Sequence, residues 1–497
     1  MATTARTFKN FIGGEWVDAD GGETFESLSP ATGEPIGTFP KSTPADVDRA
    51  VEAATEAYKT WRLVPAPKRG EIIFRFAALV AEHKQELSEL MSREMGKVLA
   101  EAGGDVQEAV DMSYYMAGEG RRLFGQTTPS ELPDKFNMSV RQPIGVVGVI
   151  TPWNFPIAIP SWKIVPALVC GNTVVFKPAN DTPALGERFV ELLVEAGAPA
   201  GVVNVVHGFG RDVGDRIVRH PDVPVITLTG SRETGVEVLK ASADHLKHVH
   251  LELGGKNAVL VMEDADLDLA ADGILWSAFG TSGQRCTAAS RVIVHEQVYD
   301  ALAKRLVAAA EKMRLGPGWE ADTDVGPVIN GKALEKIHSY TEIGKSEGAE
   351  LLTGGEVATG NGLDRGFFYR PTIFGRVDPQ MRIAQEEIFG PTTALIPVRD
   401  FDEAIAAANS VRFGLSSSIF TADVNRAFRA MRDLEAGITY INAGTIGAEV
   451  HLPFGGTKDT GNGHREAGVA ALDVFTEWKS IYVDYSGKLQ RAQIDNS

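Results

Sequence analysis

Only two of the 497 residues are cysteine, Cys170 and Cys286. So few thiols in so long a chain exclude a disulfide scaffold and predict a reducing compartment, here the cytoplasm. No His or Cys cluster has metal-ligand spacing, so no metal is expected. No apolar run approaches the roughly 20 residues that cross a bilayer, and the N-terminus lacks the apolar centre of a secretion signal. Positive charge is scarce as well: 49 Lys and Arg against 66 Asp and Glu leave a formal net charge of -17. That balance opposes nucleic acid and anionic membranes as partners. Internal repeats and low-complexity segments are missing too.

With 43% apolar and 23% charged residues the composition is that of an ordinary globular protein, and the length fits two domains with added elements. Near the start, Phe11-Ile-Gly-Gly-Glu-Trp-Val17 reads as a hairpin. Helical periodicity begins at Pro44, and three helical runs follow, 68–84, 85–102 and 105–124, with Gly103-Gly104 separating the last two. Residues 125–141 are polar and turn-rich, an excursion from the compact body. From Gly145 short apolar strands alternate with helices, which predicts a parallel sheet covered on both faces. The same pattern restarts after Gly254-Gly255, taken as a domain boundary. A last alternating run, Trp478-Lys-Ser-Ile-Tyr-Val-Asp-Tyr485, has no helix to cover it, so its edge is expected to pair, with another subunit as one choice of partner.

The residues that could carry chemistry centre on Gly283-Gln-Arg-Cys286, between an amphipathic run and a β-branched strand. A free cysteine is commonly a small core residue, and Cys170, in Val-Pro-Ala-Leu-Val-Cys-Gly, reads that way. Around Cys286 the polar neighbours point instead to a nucleophile, with Arg285 and nearby backbone donors favouring the thiolate. Glu252 ends an alternating run and precedes Leu253-Gly254-Gly255, so it is either a solvated strand carboxylate or a general base. Asn154, held between Pro152 and Pro156, is a turn residue or an amide donor for an oxyanion. Thr229-Gly-Ser231 closes a strand and opens a helix, where Gly230 and Ser231 could meet phosphate. It is not the usual G-x-G-x-x-G fingerprint and is weak alone. Lys177 ends a strand, within reach of a ribose or phosphate.

Seven segments, in order along the chain, resemble the NAD(P)-dependent aldehyde dehydrogenase superfamily: Thr-Pro-Trp-Asn-Phe-Pro, Phe-Lys-Pro, Thr-Gly-Ser, Glu-Leu-Gly-Gly-Lys-Asn, Gly-Gln-Arg-Cys, Glu386-Glu-Ile-Phe-Gly-Pro391 and Pro453-Phe-Gly-Gly456. The resemblance implies an α/β fold: a Rossmann-like coenzyme domain (1–124 and 143–253), an α/β catalytic domain (254–476) and a small β oligomerisation flap (125–142 and 477–497) joining a homodimer or homotetramer. It implies that Cys286 attacks a small-molecule aldehyde, that Asn154 holds the oxyanion, and that Glu252 activates water to release the acid. Lys163 and Glu466 match positions that relay protons away from Glu252. Gly230 and Ser231 would meet the pyrophosphate, Lys177 and Glu387 the ribose hydroxyls, Phe389 the nicotinamide side and Trp153 the adenosine ribose end. Thr151, Pro152, Asn180, Gly210 and Leu253 complete the implied NAD or NADP site.

One position departs from the pattern. NAD-preferring members carry a glutamate where this chain has Asn180, in Lys177-Pro-Ala-Asn180. The missing charge predicts that NADP is tolerated or preferred. Phe155, Trp162 and Phe454 match aromatic channel positions, and Arg285 stands where members acting on acidic aldehydes often have arginine. An acidic semialdehyde such as 2-oxoglutarate semialdehyde is therefore the expected substrate, unless Arg285 turns away into an ion pair. The stretch 446–452 fits the same branch. A broad-specificity aldehyde oxidiser, a cofactor-independent cysteine esterase, thioester release to coenzyme A and a non-enzymatic role are the alternatives. Glu252 favours hydrolysis over coenzyme A transfer, and Cys286, Glu252 and Asn154 together oppose a non-enzymatic role.

Overall fold

A computed structural model describes residues 6–495. Two seven-stranded sheets carry the architecture; the expected strands lie in them, joined in the second sheet by the unexpected Glu350–Thr353 and Thr372–Gly375. In the first, His248–Glu252, Val225–Thr229, Val146–Ile150, Thr173–Lys177 and Val203–Val205 run parallel. The predicted hairpin, Asn10–Ile12 and Glu15–Val17, closes that sheet antiparallel. In the second, Thr372–Gly375, Thr392–Val398, Ala289–His295, Asn257–Val261, Ser416–Phe420 and Ile438–Ile441 are parallel, with Glu350–Thr353 antiparallel at the edge. Nearly every residue of the central strands is buried, as doubly covered parallel strands require.

Strand order decides where a ligand can sit. Val146–Ile150 has Thr173–Lys177 on one side and Val225–Thr229 on the other, so the winding reverses there. The crevice beyond the carboxyl ends of strands at such a reversal is the usual ligand site of open α/β sheets. The ends at this reversal carry Thr151-Pro-Trp-Asn154 and Thr229-Gly-Ser231.

The helices differ from expectation at one glycine pair. Gly103 and Gly104 lie inside the helix Leu99–Glu119 rather than before it. Each costs up to about 1 kcal/mol against alanine, and the buried face of Ala102, Asp105, Val106, Ala109 and Val110 offsets this. The preceding helix, Lys84–Glu94, stops instead at Gly96, with φ +90, where a Cβ would lie 2.5 Å from Pro327 Cγ. The excursion folds as strands Gln126–Pro129 and Lys135–Pro143, and Thr476–Asp484 pairs with the latter over its full length. The C-terminal run thus finds a partner within its own chain. Among the described residues no helix is long and apolar enough to cross a membrane.

Candidate active site

The cysteine loop is held from several sides. The helix Leu267–Phe279, capped by Asp266, ends at Gly280. Thr281, Ser282 and Gly283 then take left-handed conformations, costly for the first two. Hydrogen bonds hold them there: Thr281 N and Oγ1 donate to Glu101 Oε2 at 2.7 and 3.0 Å, and Ser282 Oγ donates to the Gly326 carbonyl at 2.8 Å. Gly283 needs its hydrogen, since a Cβ would lie 2.1 Å from the Gly390 carbonyl. Asn257 Nδ2 donates to the carbonyls of Cys286 and Ala288, at 2.7 and 2.9 Å. Cys286 is thereby fixed just before the strand Ala289–His295, its side chain half-buried.

Cys286 lines two cavities at once. One, about 380 Å³, is walled by Phe155, Trp162, Trp276 and Phe454 and also holds Glu252 and Arg285. Trp162 and Phe454 meet edge-on with ring centroids 4.8 Å apart. The other, about 260 Å³, is lined by Pro152, Trp153, Asn154, Gly230, Ser231, Leu253, Glu387 and Phe389. A third, about 780 Å³, opens beside Gly210, Gly214 and the helix Arg232–Ser242. Ser231 caps that helix, its Oγ accepting from Thr234 N at 3.2 Å.

Asn154 Nδ2 donates to the Gln284 carbonyl at 3.0 Å, which ties the amide to the cysteine loop. Glu252 is 3% exposed, and neither carboxylate oxygen has a hydrogen-bond partner among the described residues. Gly455 makes room for it, because a Cβ there would come 2.6 Å from Oε1. Burial first, then the Glu466 carboxylate, pushes Glu252 well above the usual carboxylate range, against Lys163 and Arg465. Lys163 forms a buried ion pair with Glu466 and donates to Thr227 Oγ1 at 3.0 Å. The helix Ala158–Cys170 presents Trp162 and Lys163 side by side, one to the aromatic cavity and one to this pair.

Glu387 and Gly254 test whether a dinucleotide fits. The half-buried Glu387 carboxylate accepts from Gly255 N at 2.9 Å and lies where a Cβ on Gly254 would come within 2.4 Å of it. This bare backbone, the half-buried carboxylate and the two adjoining cavities make a cradle suited to a polyhydroxylated ligand. Lys177 is buried at its strand end, Nζ on the Pro178 carbonyl at 2.9 Å, and burial lowers it to about 8. Thr151 N donates to the Lys177 carbonyl at 3.3 Å, and Asn180 follows in the same loop.

The aldehyde dehydrogenase family model matches residues 16–481. The chain belongs to the aldehyde dehydrogenase family. It is 42% identical over 484 residues to the alpha-ketoglutaric semialdehyde dehydrogenase of Bacillus subtilis, covering 97% of this chain and 99% of that one. Identity to the alpha-ketoglutarate semialdehyde dehydrogenase of Haloferax volcanii is 43% over 479 residues, 96% and 99% of the two chains. The structure of Staphylococcus aureus betaine aldehyde dehydrogenase in complex with NAD+ superposes with a TM-score of 0.95 at 35% identity, covering 97% of this chain and 95% of that one.

This aldehyde dehydrogenase departs from two expectations. Arg285 does not face the thiol: Nε donates to Thr281 Oγ1 at 2.9 Å and Nη2 lies 3.3 Å from Glu101 Oε1. The expected thiolate is not favoured either, for burial and then Glu387, Glu252 and Glu466 push the Cys286 thiol up. Trp153 lines the cavity that also holds Cys286, Gly230, Ser231 and Glu387, its ring edge-on to Phe389 at 5.6 Å between centroids. Sequence reasoning also missed the acidic wall of the aromatic cavity, Glu101, Asp105 and Glu108. Asp105 pairs with Lys97 at 2.8 Å, both side chains fully buried. The i, i+4, i+7 spacing of the three acids on one helix was a legible signal. Lys336, on the unpredicted helix Gly331–Ser346, lines the cavity that holds Asn154 and Glu387.

Proposed function

We propose that this aldehyde dehydrogenase oxidises an acidic semialdehyde, such as 2-oxoglutarate semialdehyde, to the carboxylic acid with Cys286 as nucleophile and Glu252 as base. The observation that carries the assignment is that Cys286, the one thiol among the four residues shared by both cavities (with Ile159, Thr229 and Leu253), joins a Glu252-bearing aromatic cavity to one lined by Gly230, Ser231, Glu387 and Phe389. Cys286 Sγ adds to the carbonyl carbon, and its proton leaves through water to bulk solvent, so that Glu252 stays a carboxylate for the hydrolytic step. The oxyanion of the thiohemiacetal is held by Asn154 Nδ2 and the Cys286 N–H. NAD(P)+, when bound, supplies the hydride acceptor, and a thioester remains on Cys286. Glu252, poised by its raised pKa, takes a proton from water, and the hydroxide formed releases the acid and frees the sulfur. Lys163 and Glu466 hold the charge balance behind it.

Lys177, Glu387, Gly230 and Ser231 would hold the dinucleotide, with Thr151, Pro152, Trp153, Leu253, Gly210 and Phe389 around it. Neutral Asn180 leaves room for a 2′-phosphate, so NADP+ is used as well as or better than NAD+. The division into coenzyme domain, catalytic domain and oligomerising flap, and a cytoplasmic home, belong to the same reading. Arg285 Nη1 has no partner among the described residues and lines the substrate cavity, which supports its use by a substrate carboxylate. The names of the two semialdehyde-oxidising relatives support the same class. The Glu101 ion pair favours a second reading, a broad-specificity enzyme whose Arg285 charge is already balanced.

Absorbance at 340 nm across neutral aldehydes and semialdehydes of matched length, with NAD+ and NADP+ separately, distinguishes them. The semialdehydes are expected to have the higher kcat/KM. Equal values would reject the acidic-substrate assignment, and a hundredfold preference for NAD+ would reject the reading of Asn180.

A further inference from the structure

The mechanism leaves one buried titratable group without a task. His250 stands two residues before Glu252 on one strand, so the two side chains share a face. Its imidazole is 2% exposed. Nε2 lies 3.7 Å from Glu252 Oε1, and Nδ1 lies 3.6 Å from Glu466 Oε1. Nδ1 also shares a 3.0 Å hydrogen bond with Thr227 Oγ1, the hydroxyl that accepts from Lys163. Nε2 has no hydrogen-bond partner among the described residues, and neither has Glu252 Oε1. The His464 ring meets that of His250 edge-on, centroids 5.8 Å apart, and His464 is exposed. The groups around the ring are thus Glu252 on its own strand, Thr227 on the adjacent strand, Lys163 on the buried helix, and His464, Arg465 and Glu466 on the C-terminal segment.

An unmet buried nitrogen beside an unmet buried carboxylate oxygen is unfavourable at rest. A proton placed on that oxygen closes the gap into a hydrogen bond. We propose that His250 is a positioning and relay residue, carrying the proton that Glu252 takes from the hydrolytic water out toward His464 and solvent. This rests on the reading of Glu252 as the base of thioester hydrolysis. The O–H formed at Glu252 Oε1 points to His250 Nε2, the proton transfers, and Glu252 is again a carboxylate. The ring is briefly imidazolium, with its Nδ1–H toward Glu466, and returns to neutral by giving up the Nε2 proton to solvent water beside the exposed His464. One proton enters and one leaves, and no bond to carbon changes. Burial, together with Lys163, His464 and Arg465, holds the imidazole well below its usual range, so the ring does not retain the proton.

The test compares native enzyme, His250→Gln, His250→Ala and Glu252→Gln in rapid mixing with NAD(P)+ and an aldehyde that the native enzyme oxidises. In both His250 variants the first-turnover rise at 340 nm is expected to stay within about twofold of native, because it precedes hydrolysis. Steady-state kcat is expected to fall about 100-fold, the low end for a proton-transfer group. Free imidazole raises turnover of His250→Ala and leaves the native enzyme unchanged, an effect that a packing role would not give. The relay alone is overturned if Glu252→Gln stalls after one turnover while both His250 variants turn over normally. It is equally overturned if first turnover and kcat fall together and imidazole does nothing. Normal turnover in Glu252→Gln overturns the base assignment and the relay with it.

Discussion

At the residue scale, the acidic wall of the aromatic cavity yields the most specific pH prediction. Burial and then Asp105 raise Glu108 to about 8, against Lys97 and Arg285. Below that pH the side chain is a neutral acid able to donate a hydrogen bond, and above it the cavity gains a negative charge. KM for an acidic semialdehyde is therefore expected to rise above about pH 8, with no matching rise for a neutral aldehyde. Glu108→Gln should flatten the curve; an unchanged curve in that variant would remove Glu108 from substrate recognition. Arg285→Ala should raise KM for semialdehydes about tenfold, the scale of one charged contact, with neutral aldehydes little affected. Equal effects on both would leave the Glu101 ion pair as its whole role. That Cys286, Glu252 and Asn154 come together at adjoining cavities was legible through the family motifs that carry them, since the residues alone left a core, strand or turn reading open. His250 was not, although its two-residue spacing from Glu252 already put both on one strand face. Glu466, 214 positions after Glu252, was legible only through the family resemblance, and the carboxylates Glu101, Asp105 and Glu108 of the aromatic cavity were not read at all.

At the element scale, identical residues gave opposite outcomes. Strands were legible because short runs such as Val146–Ile150 are apolar on both faces. Gly103-Gly104 reads as helix punctuation and Gly96 falls within the expected run 85–102, yet it is Gly96 that ends a helix, and the neighbouring Pro327 that enforces it is distant in sequence. Gly96→Ala should lower stability by about 1–2 kcal/mol from the left-handed backbone alone, and more from the contact with Pro327. Gly103→Ala should raise it by about 0.5–1 kcal/mol, because a Cβ there meets its nearest neighbours at 3.8 Å, an ordinary contact. Thermal unfolding of the pair checks both signs. A loss at Gly103 would mean that the helix Leu99–Glu119 tolerates its glycines for a reason other than backbone freedom.

For the whole molecule, the strand Thr476–Asp484 is an uncovered edge, with Trp478, Tyr482 and Val483 exposed. Its one sheet neighbour is Lys135–Pro143, and a long exposed strand with apolar side chains is a surface for pairing. A homodimer or homotetramer built through this flap is the expected state. Tyr482→Asp should shift light-scattering mass toward the monomer without unfolding the two large sheets, and a monomeric native enzyme would contradict the assignment. The larger account is that a cysteine at the junction of two cavities forms a thioester that a buried glutamate then hydrolyses. Its most direct test is rapid mixing of Glu252→Gln with NAD(P)+ and aldehyde, followed by mass analysis of the peptide bearing Cys286. The account predicts about one equivalent of reduced cofactor, then a stall, with the acyl group on Cys286. Continued turnover, or a stall with an unmodified Cys286, would contradict it.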